Sequence, residues 1–342
     1  MYKLLIRPIF FLFDSEKIHN FTLFIISRFT FLYPVFKLIY SPSKNCSLQI
    51  ANCTFKSPLG LAAGFDKNGV ALRFWDAVGF SYVEVGTVTP LGQPGNPKPR
   101  IFRLKKEKAL INRLGFNNKG ADEIRKNILE AKPKLKNGLV VGVNIGKNKH
   151  TSIINAVTDY KICFEKLFDA ADYFTVNISS PNTKSLRDLH NKEYLDNLLA
   201  EIQNLNLQLA AKHGVHPKNI FLKISPDLES EEVEEVYDFV CKHNFTGIIA
   251  TNTTVSRSNL GQKSDEQGGL SGKPLKPIAD KILHMLNELN LKNQNKKLIL
   301  IGVGGVFSKQ DFEDKTKNGA SLVQVYTGFI YEGPGIIKKI LR

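Results

Sequence analysis

Short apolar runs alternate with helix-length amphipathic segments along most of this chain, and the alternation predicts its fold. The runs are PLGLAAG (58–64), YVEVGT (82–87), GLVVGVNI (138–145), YFTVNIS (173–179), IFLKIS (220–225), GIIATN (247–252), LILIGVGG (298–305) and LVQVYT (322–327). Each is short enough for a strand and bounded by turn-forming residues. Helical patterns at 121–131, 159–170, 194–213, 231–243, 278–291 and 309–318 separate most of them. Near-continuous apolar strands between helices indicate a parallel sheet covered on its outside. Eight such units across residues 45–342 fit a (β/α)8 barrel better than an open doubly wound sheet. The stretch LAAGFDKNG after the first run lacks GxGxxG, which further disfavours a dinucleotide-binding fold.

Residues 1–40 follow another pattern. Asp14 or Ser15 can cap a helix starting near Glu16, after which Ile18, Phe21, Ile25, Phe29, Leu32 and Phe36 recur at helical spacing. Eight of the chain's 23 phenylalanines lie here, a density that demands a partner surface. Charges at Asp14, Glu16, Lys17, Arg28 and Lys37 break the apolar runs below the roughly 18–20 residues that span a bilayer. A compact apolar region followed by a small-residue cleavage site is also missing, which argues against a secretory signal. Two readings remain: two helices packed on a core, or a helical hairpin lying in a membrane interface. Pro34, Pro42 and the segment YSPSKN (40–45) mark a linker into the barrel domain.

Composition narrows the partners without choosing one. A 42% hydrophobic and 23% charged chain of 342 residues is globular, and its formal charge of +15 calls for an anionic partner. Nucleic acid, a phosphate-bearing cofactor, an acidic substrate and an anionic membrane all qualify. Cys46, Cys53, Cys163 and Cys241 form no CxxC pair and read as reduced thiols, so neither a disulfide nor a metal site is expected. His213 and His216 read as part of a solvated loop.

The strand ends carry the chemistry, because barrel active sites form where the strands end at their carboxyl termini. They present Asp66 with Lys67, Thr87, Asn144, Asn177 with Ser179 and Ser180, Lys223, Thr251 with Asn252 and Thr253, Gly304 with Gly305, and Tyr326 with Thr327. Turn formation explains one such residue, but not polar groups at so many ends. Lys223 lies inside an apolar run, where a lysine needs an anionic partner. Asn112, Asn177, Asn182 and Asn252 suit a ring with imide or amide edges, and Lys67 suits a carboxylate. The GVGG and YTG turns occupy the usual barrel phosphate position. Strand alternation places Asn177 and Ser179 on one face and so nominates Ser179 as the reactive serine. Pro181 biases Ser180 towards an extended conformation, so the alternation need not continue that far.

These stretches, together with FDSEKIHNFT, NPKPRIFRL, INRLGFNNKG, VNISSPNT, GGLSGKPL and SLVQVYTGFIYEGP, closely resemble the membrane-associated, quinone-dependent (class 2) dihydroorotate dehydrogenases along nearly the whole chain. The resemblance implies a barrel holding one FMN that oxidises dihydroorotate to orotate in pyrimidine (UMP) biosynthesis and passes electrons to a membrane quinone. It implies FMN contacts from Ala63, Gly64, Phe65, Asp66, Lys67, Thr87, Asn144, Asn177, Lys223, Thr251, Gly272, Gly305, Tyr326 and Thr327. Substrate contacts are implied for Lys67, Asn112, Arg113, Leu114, Gly115, Phe116, Asn177, Asn182, Asn252 and Thr253. Ser180 matches the family's catalytic base, with Thr183 and a water as proton carrier. Soluble relatives use cysteine at the base position, and no cysteine lies between Cys163 and Cys241 here. His19 and Arg103 match residues near the quinone tunnel, which the N-terminal helices form. The expected setting is the cytoplasmic side of a bacterial inner membrane, bound peripherally to its anionic surface, as a monomer without nucleic acid. Competing readings are a flavin-barrel reductase acting on another pyrimidine, or on uridine in RNA, and a non-catalytic basic binding protein.

Overall fold

The computed structural model describes residues 2–42, 47–182, 191–261 and 264–342. Eight strands close into a barrel: β1 (Leu59–Leu61), β2 (Tyr82–Val88), β3 (Val140–Ile145), β4 (Tyr173–Asn177), β5 (Asn219–Ile224), β6 (Gly247–Ala250), β7 (Ile299–Val303) and β8 (Leu322–Val325). Neighbours are consecutive in sequence, and β8 closes on β1 with Val323 opposite Leu59. All pairs are parallel, as helical crossovers require. All eight apolar runs form the barrel, several ending earlier than expected because their last residues turn into the site.

The outer helices follow the amphipathic segments, from Ala121–Ala131 to Lys309–Lys317. The pattern missed Leu72–Val78, whose residues are almost all buried and therefore show no polar stripe. It also missed three small antiparallel sheets: the pair Leu48–Ile50 with Cys53–Phe55, the trio Ile101–Leu104, Ala109–Asn112 and Gly269–Gly272, and the pair Leu91–Gln93 with Asn118–Gly120. Strands of only three or four residues carry too little alternation to be read.

Inside the barrel, side chains stack in layers. The lowest holds Tyr82, Tyr173, Phe221, Ile249, Ile301 and Leu322, and Phe55 closes it with its ring 5.3 Å from Tyr82. Gly142 is required there, since a Cβ would sit 2.0 Å from the Tyr173 ring. Above lies a buried polar layer of Glu84, Asn144, Thr175, Lys223 and Gln324, which forms the floor of the site.

The N-terminal stripe is not one helix. Asp14 caps Ser15–Arg28 by accepting from the amides of Glu16 (3.1 Å) and Lys17 (2.9 Å), but the chain then bends by 75° into the segment that ends in Tyr33–Tyr40. Pro34 cannot donate back to residue 30, so the helix restarts there instead of running through. Phe36 consequently packs on Phe74, with ring centroids 5.4 Å apart, while Phe21, Phe24 and Phe31 remain exposed. Among the described residues no single helix is long and apolar enough to cross a membrane.

One ion pair fastens these helices to the barrel. Arg100 donates to both carboxylate oxygens of Glu16, Nη2 to Oε1 at 2.6 Å and Nε to Oε2 at 2.9 Å, and both side chains are buried. Its Nη1 meets the carbonyls of Pro94 (2.6 Å) and Asn96 (2.7 Å), which locks the loop before the mouth sheet.

Candidate active site

At the carboxyl ends of the strands the barrel opens into a cavity. Its wall contains Ala63, Gly64, Lys67, Thr87, Asn112, Leu114, Gly115, Phe116, Asn177, Ser180, Asn182, Lys223, Thr251, Asn252, Thr253, Gly272, Gly305, Tyr326 and Thr327. Most of the residues proposed from sequence are thus brought together from all around the barrel.

The asparagines hold one another. Asn177 Nδ2 donates to Thr87 Oγ1 (3.0 Å) and Asn144 Oδ1 (3.1 Å), and Asn182 Nδ2 donates to Asn112 Oδ1 (3.3 Å). Asn252 Nδ2 donates to Ser179 Oγ at 3.0 Å, while Ser179 directs both its amide and its hydroxyl to Asn177 Oδ1 at 3.2 Å. Mutual bonding of this kind fixes which end of each amide faces a ligand. It also separates the two serines. Ser179 is fully buried and engaged with amides, whereas Ser180 lies on the cavity wall and accepts from the Asn182 amide at 3.3 Å.

Two lysines bring positive charge to the cavity. Lys67 donates to Asn117 Oδ1 at 2.7 Å; burial, then the nearby Arg100, push its pKa down to about 7. Lys223 is 5% exposed, and burial lowers its pKa against the opposing pull of Glu84. Among the described residues its ammonium donates no hydrogen bond, so a ligand in the cavity would meet an unspent donor. At the opposite side, Gly304 (φ 103°) and Gly305 (φ 76°) turn bare backbone towards the cavity.

Several proposed residues sit elsewhere. Asp66 is fully buried and accepts from the amides of Val70 and Ala71 and from Trp75 Nε1, so its carboxylate organises a turn and does not face the cavity. Arg113 points outward, pairing with Glu266 at 2.7 Å and stacking over Phe102. Asn144 lies under Thr87, whose hydroxyl donates to it at 2.6 Å. Thr183 lies outside the described residues. Conversely, Gln324 lines the cavity with a buried Oε1 that has no hydrogen-bond partner. Strand parity with Leu322 could have revealed it.

A second, largely apolar cavity lies between the N-terminal helices and the barrel. His19 and Arg103 both line it, with Phe10, Ile18, Phe36, Trp75 and Phe329 among the other walls. Arg103 donates to the Phe10 carbonyl at 3.0 Å and stacks over Phe11 at 4.7 Å. Burial, then the Lys67 charge, push the His19 pKa down to about 4, so its ring is neutral at physiological pH. Phe65 is the partition: its ring centroid is 5.0 Å from His19 and 5.3 Å from Tyr326, and Tyr326 borders both cavities.

Known proteins resemble this chain in sequence and fold. Residues 46–342 match the family model for dihydroorotate dehydrogenase. The chain is 45% identical to the dihydroorotate dehydrogenase (quinone) of Vibrio parahaemolyticus serotype O3:K6 (strain RIMD 2210633), over 99% of this chain and 98% of that protein. It is 44% identical to the enzyme of the same name from Neisseria meningitidis serogroup B (strain ATCC BAA-335 / MC58), over 99% and 98% respectively. Among solved structures, DHODH in complex with ferulenol from Eimeria tenella superimposes with a TM-score of 0.85 at 36% identity, covering 96% of this chain and 89% of that one. The ligand-free type from the same organism gives 0.82, also at 36% identity and covering 92% of each chain. On the family match and on these identities, the chain belongs to the dihydroorotate dehydrogenase family.

Proposed function

We propose that this chain oxidises dihydroorotate to orotate in pyrimidine biosynthesis, holding FMN in the barrel cavity and a membrane quinone in the apolar one. The carrying observation is the pair of unlike cavities separated by the Phe65 ring. One is rich in amides and lysines, the other is lined by aromatic rings and reached through the N-terminal helices.

The barrel cavity fits the flavin on its own features. The orphaned Gln324 Oε1 and the Lys223 ammonium offer an acceptor and a donor from the floor, and the Gly304–Gly305 backbone leaves room for a phosphate. When bound, FMN supplies a hydride acceptor that returns electrons to a quinone. Lys223 stabilises the negative charge that accompanies reduction, a preorganised electrostatic role. Asn112, Asn177, Asn182 and Asn252 orient the substrate ring, and Lys67 meets its carboxylate. Ser180 takes a proton at its Oγ from the ring carbon next to the one that yields hydride, while its own hydroxyl proton passes on to a water.

On the other side, neutral His19 and the Arg103 guanidinium offer polar contacts to a quinone head. Phe13, Phe21, Phe24, Phe31 and Leu38 are each more than half exposed around that cavity's helices, which suits a peripheral seat in a membrane interface. The excess of basic residues favours an anionic surface, in keeping with the inner membrane of a bacterium.

Lys67 gives this assignment a pH signature. The carboxylate of the substrate binds the protonated amine and raises its pKa, whereas the free site holds it near 7. Affinity should therefore be flat below pH 7 and weaken by up to about tenfold per pH unit above it. Orotate titrations of the oxidised enzyme between pH 6 and 9 read this directly, and an unchanged Kd at pH 9 would remove Lys67 from the carboxylate. The function as a whole is tested by the flavin spectrum: dihydroorotate must bleach it and quinone restore it.

A further inference from the structure

The polar layer beneath the cavity contains a carboxylate for which the reaction described above has no use. Glu84 lies on β2 at the same inward parity as Tyr82, and it is fully buried. Both of its oxygens accept: Oε1 from Asn144 Nδ2 at 2.7 Å, Oε2 from Gln324 Nε2 at 2.7 Å, with the Tyr173 hydroxyl at 3.5 Å from Oε2. Donors thus face both oxygens, which suits a side chain that accepts through each of them. Burying a carboxylate is costly unless it is paired or serves its surroundings, and here the opposing charge is Lys223 across the barrel.

We infer that Glu84 is a positioning residue of the flavin site, which fixes the orientation of the Asn144 and Gln324 amides and balances the charge of Lys223. Because Asn144 gives its N–H to Glu84, its Oδ1 is turned to receive Thr87 Oγ1 at 2.6 Å and Asn177 Nδ2 at 3.1 Å. Because Gln324 gives its Nε2 to Glu84, its Oε1 is left as a buried acceptor without a partner, on a residue that lines the cavity. One carboxylate thus sets the polarity of amides on β3 and β8 and, through Asn144, of Thr87 and Asn177. It also keeps the interior layer neutral, so Lys223 contributes attraction for reduced flavin without an excess that would hold electrons back from the quinone.

This inference rests on FMN occupying the barrel cavity, and its test separates the two claims. Glu84→Gln keeps shape and loses charge, whereas Glu84→Asp keeps charge. Removing a negative charge beside the flavin favours its more negative, reduced form. The Glu84→Gln holoenzyme should therefore bind reduced over oxidised flavin about tenfold more strongly than wild type. That ratio is a midpoint potential higher by about 30 mV for a two-electron couple. Glu84→Asp should stay within about twofold of wild type, or about 9 mV. Spectroelectrochemical titration reads both, and an unmoved potential in flavin-loaded Glu84→Gln would overturn the inference. A wild-type chain that binds no FMN would instead overturn the flavin assignment itself. Should Glu84→Gln not fold, the double variant Glu84→Gln/Lys223→Gln decides. Recovery of a cooperative thermal transition would support charge balance, and failure to recover one would overturn it.

Discussion

Replacing Ser180 with alanine should slow reduction of the flavin by dihydroorotate by about 10²- to 10⁴-fold, the usual contribution of a positioned general base. FMN should stay bound, since the Ser180 hydroxyl holds none of the residues assigned to the cofactor; its hydrogen bond is to the Asn182 amide. Ser179→Ala should behave differently. Its hydroxyl receives Asn252 and donates to Asn177, so its loss loosens two ligand-holding amides without removing the base. A net hydrogen bond contributes about 1 kcal/mol, so KM should rise roughly fivefold with a small change in the rate of reduction. Stopped-flow reduction of the two variants at saturating dihydroorotate ranks them, and a larger rate loss in Ser179→Ala would reverse the assignment.

Glu16→Ala should uncouple the two halves of the enzyme. It leaves the buried Arg100 guanidinium without its carboxylate, and breaking a buried pair in this way costs about 3–5 kcal/mol. The loss falls on the contact between helix Ser15–Arg28 and the barrel, which is also a wall of the apolar cavity. Reoxidation of reduced enzyme by quinone should drop by more than about tenfold, the factor that 1.4 kcal/mol represents. Bleaching by dihydroorotate should persist at neutral pH. The hydrogen bond from Arg100 holds the Glu16 carboxyl below its ordinary value of 4.5. The pair therefore stabilises the docked helix above that value and ceases to do so as pH falls through the lowered pKa. Separate measurement of the two half-reactions checks this, and equal wild-type rates in both would show that the pair does not hold the tunnel together.

Much of this was legible in the chain because a parallel barrel buries both faces of its strands. β3 and β5 read as almost unbroken apolar runs, and a polar residue such as Lys223 or Asn144 stands out against them. Leu72–Val78 escaped for the same reason: burial on all sides erases the helical stripe. The site was readable as a set of strand ends, but not its internal division of labour. Asp66 and Arg113 adjoin ligand-facing residues in sequence while their side chains serve a turn and the surface. Parity favoured Ser179, whereas the proposed base is Ser180, and the structure places the two serines differently. β4 ends at Asn177, so Ser179 closes back on the asparagine amide and Ser180 is left on the wall. Glu84 and Gln324 were visible by parity, but only the closed barrel brings strands β2 and β8 face to face around one carboxylate.

The central claim is that two unlike cavities, joined through Phe65 and Tyr326, run two half-reactions on one flavin. Anaerobic titration of the purified holoenzyme with dihydroorotate, followed by a quinone, tests it in a single spectrum. The account predicts stoichiometric bleaching of one FMN per chain and full recovery of its absorbance on adding quinone. A folded protein whose flavin dihydroorotate does not bleach, or whose bleached flavin quinone does not restore, would contradict it.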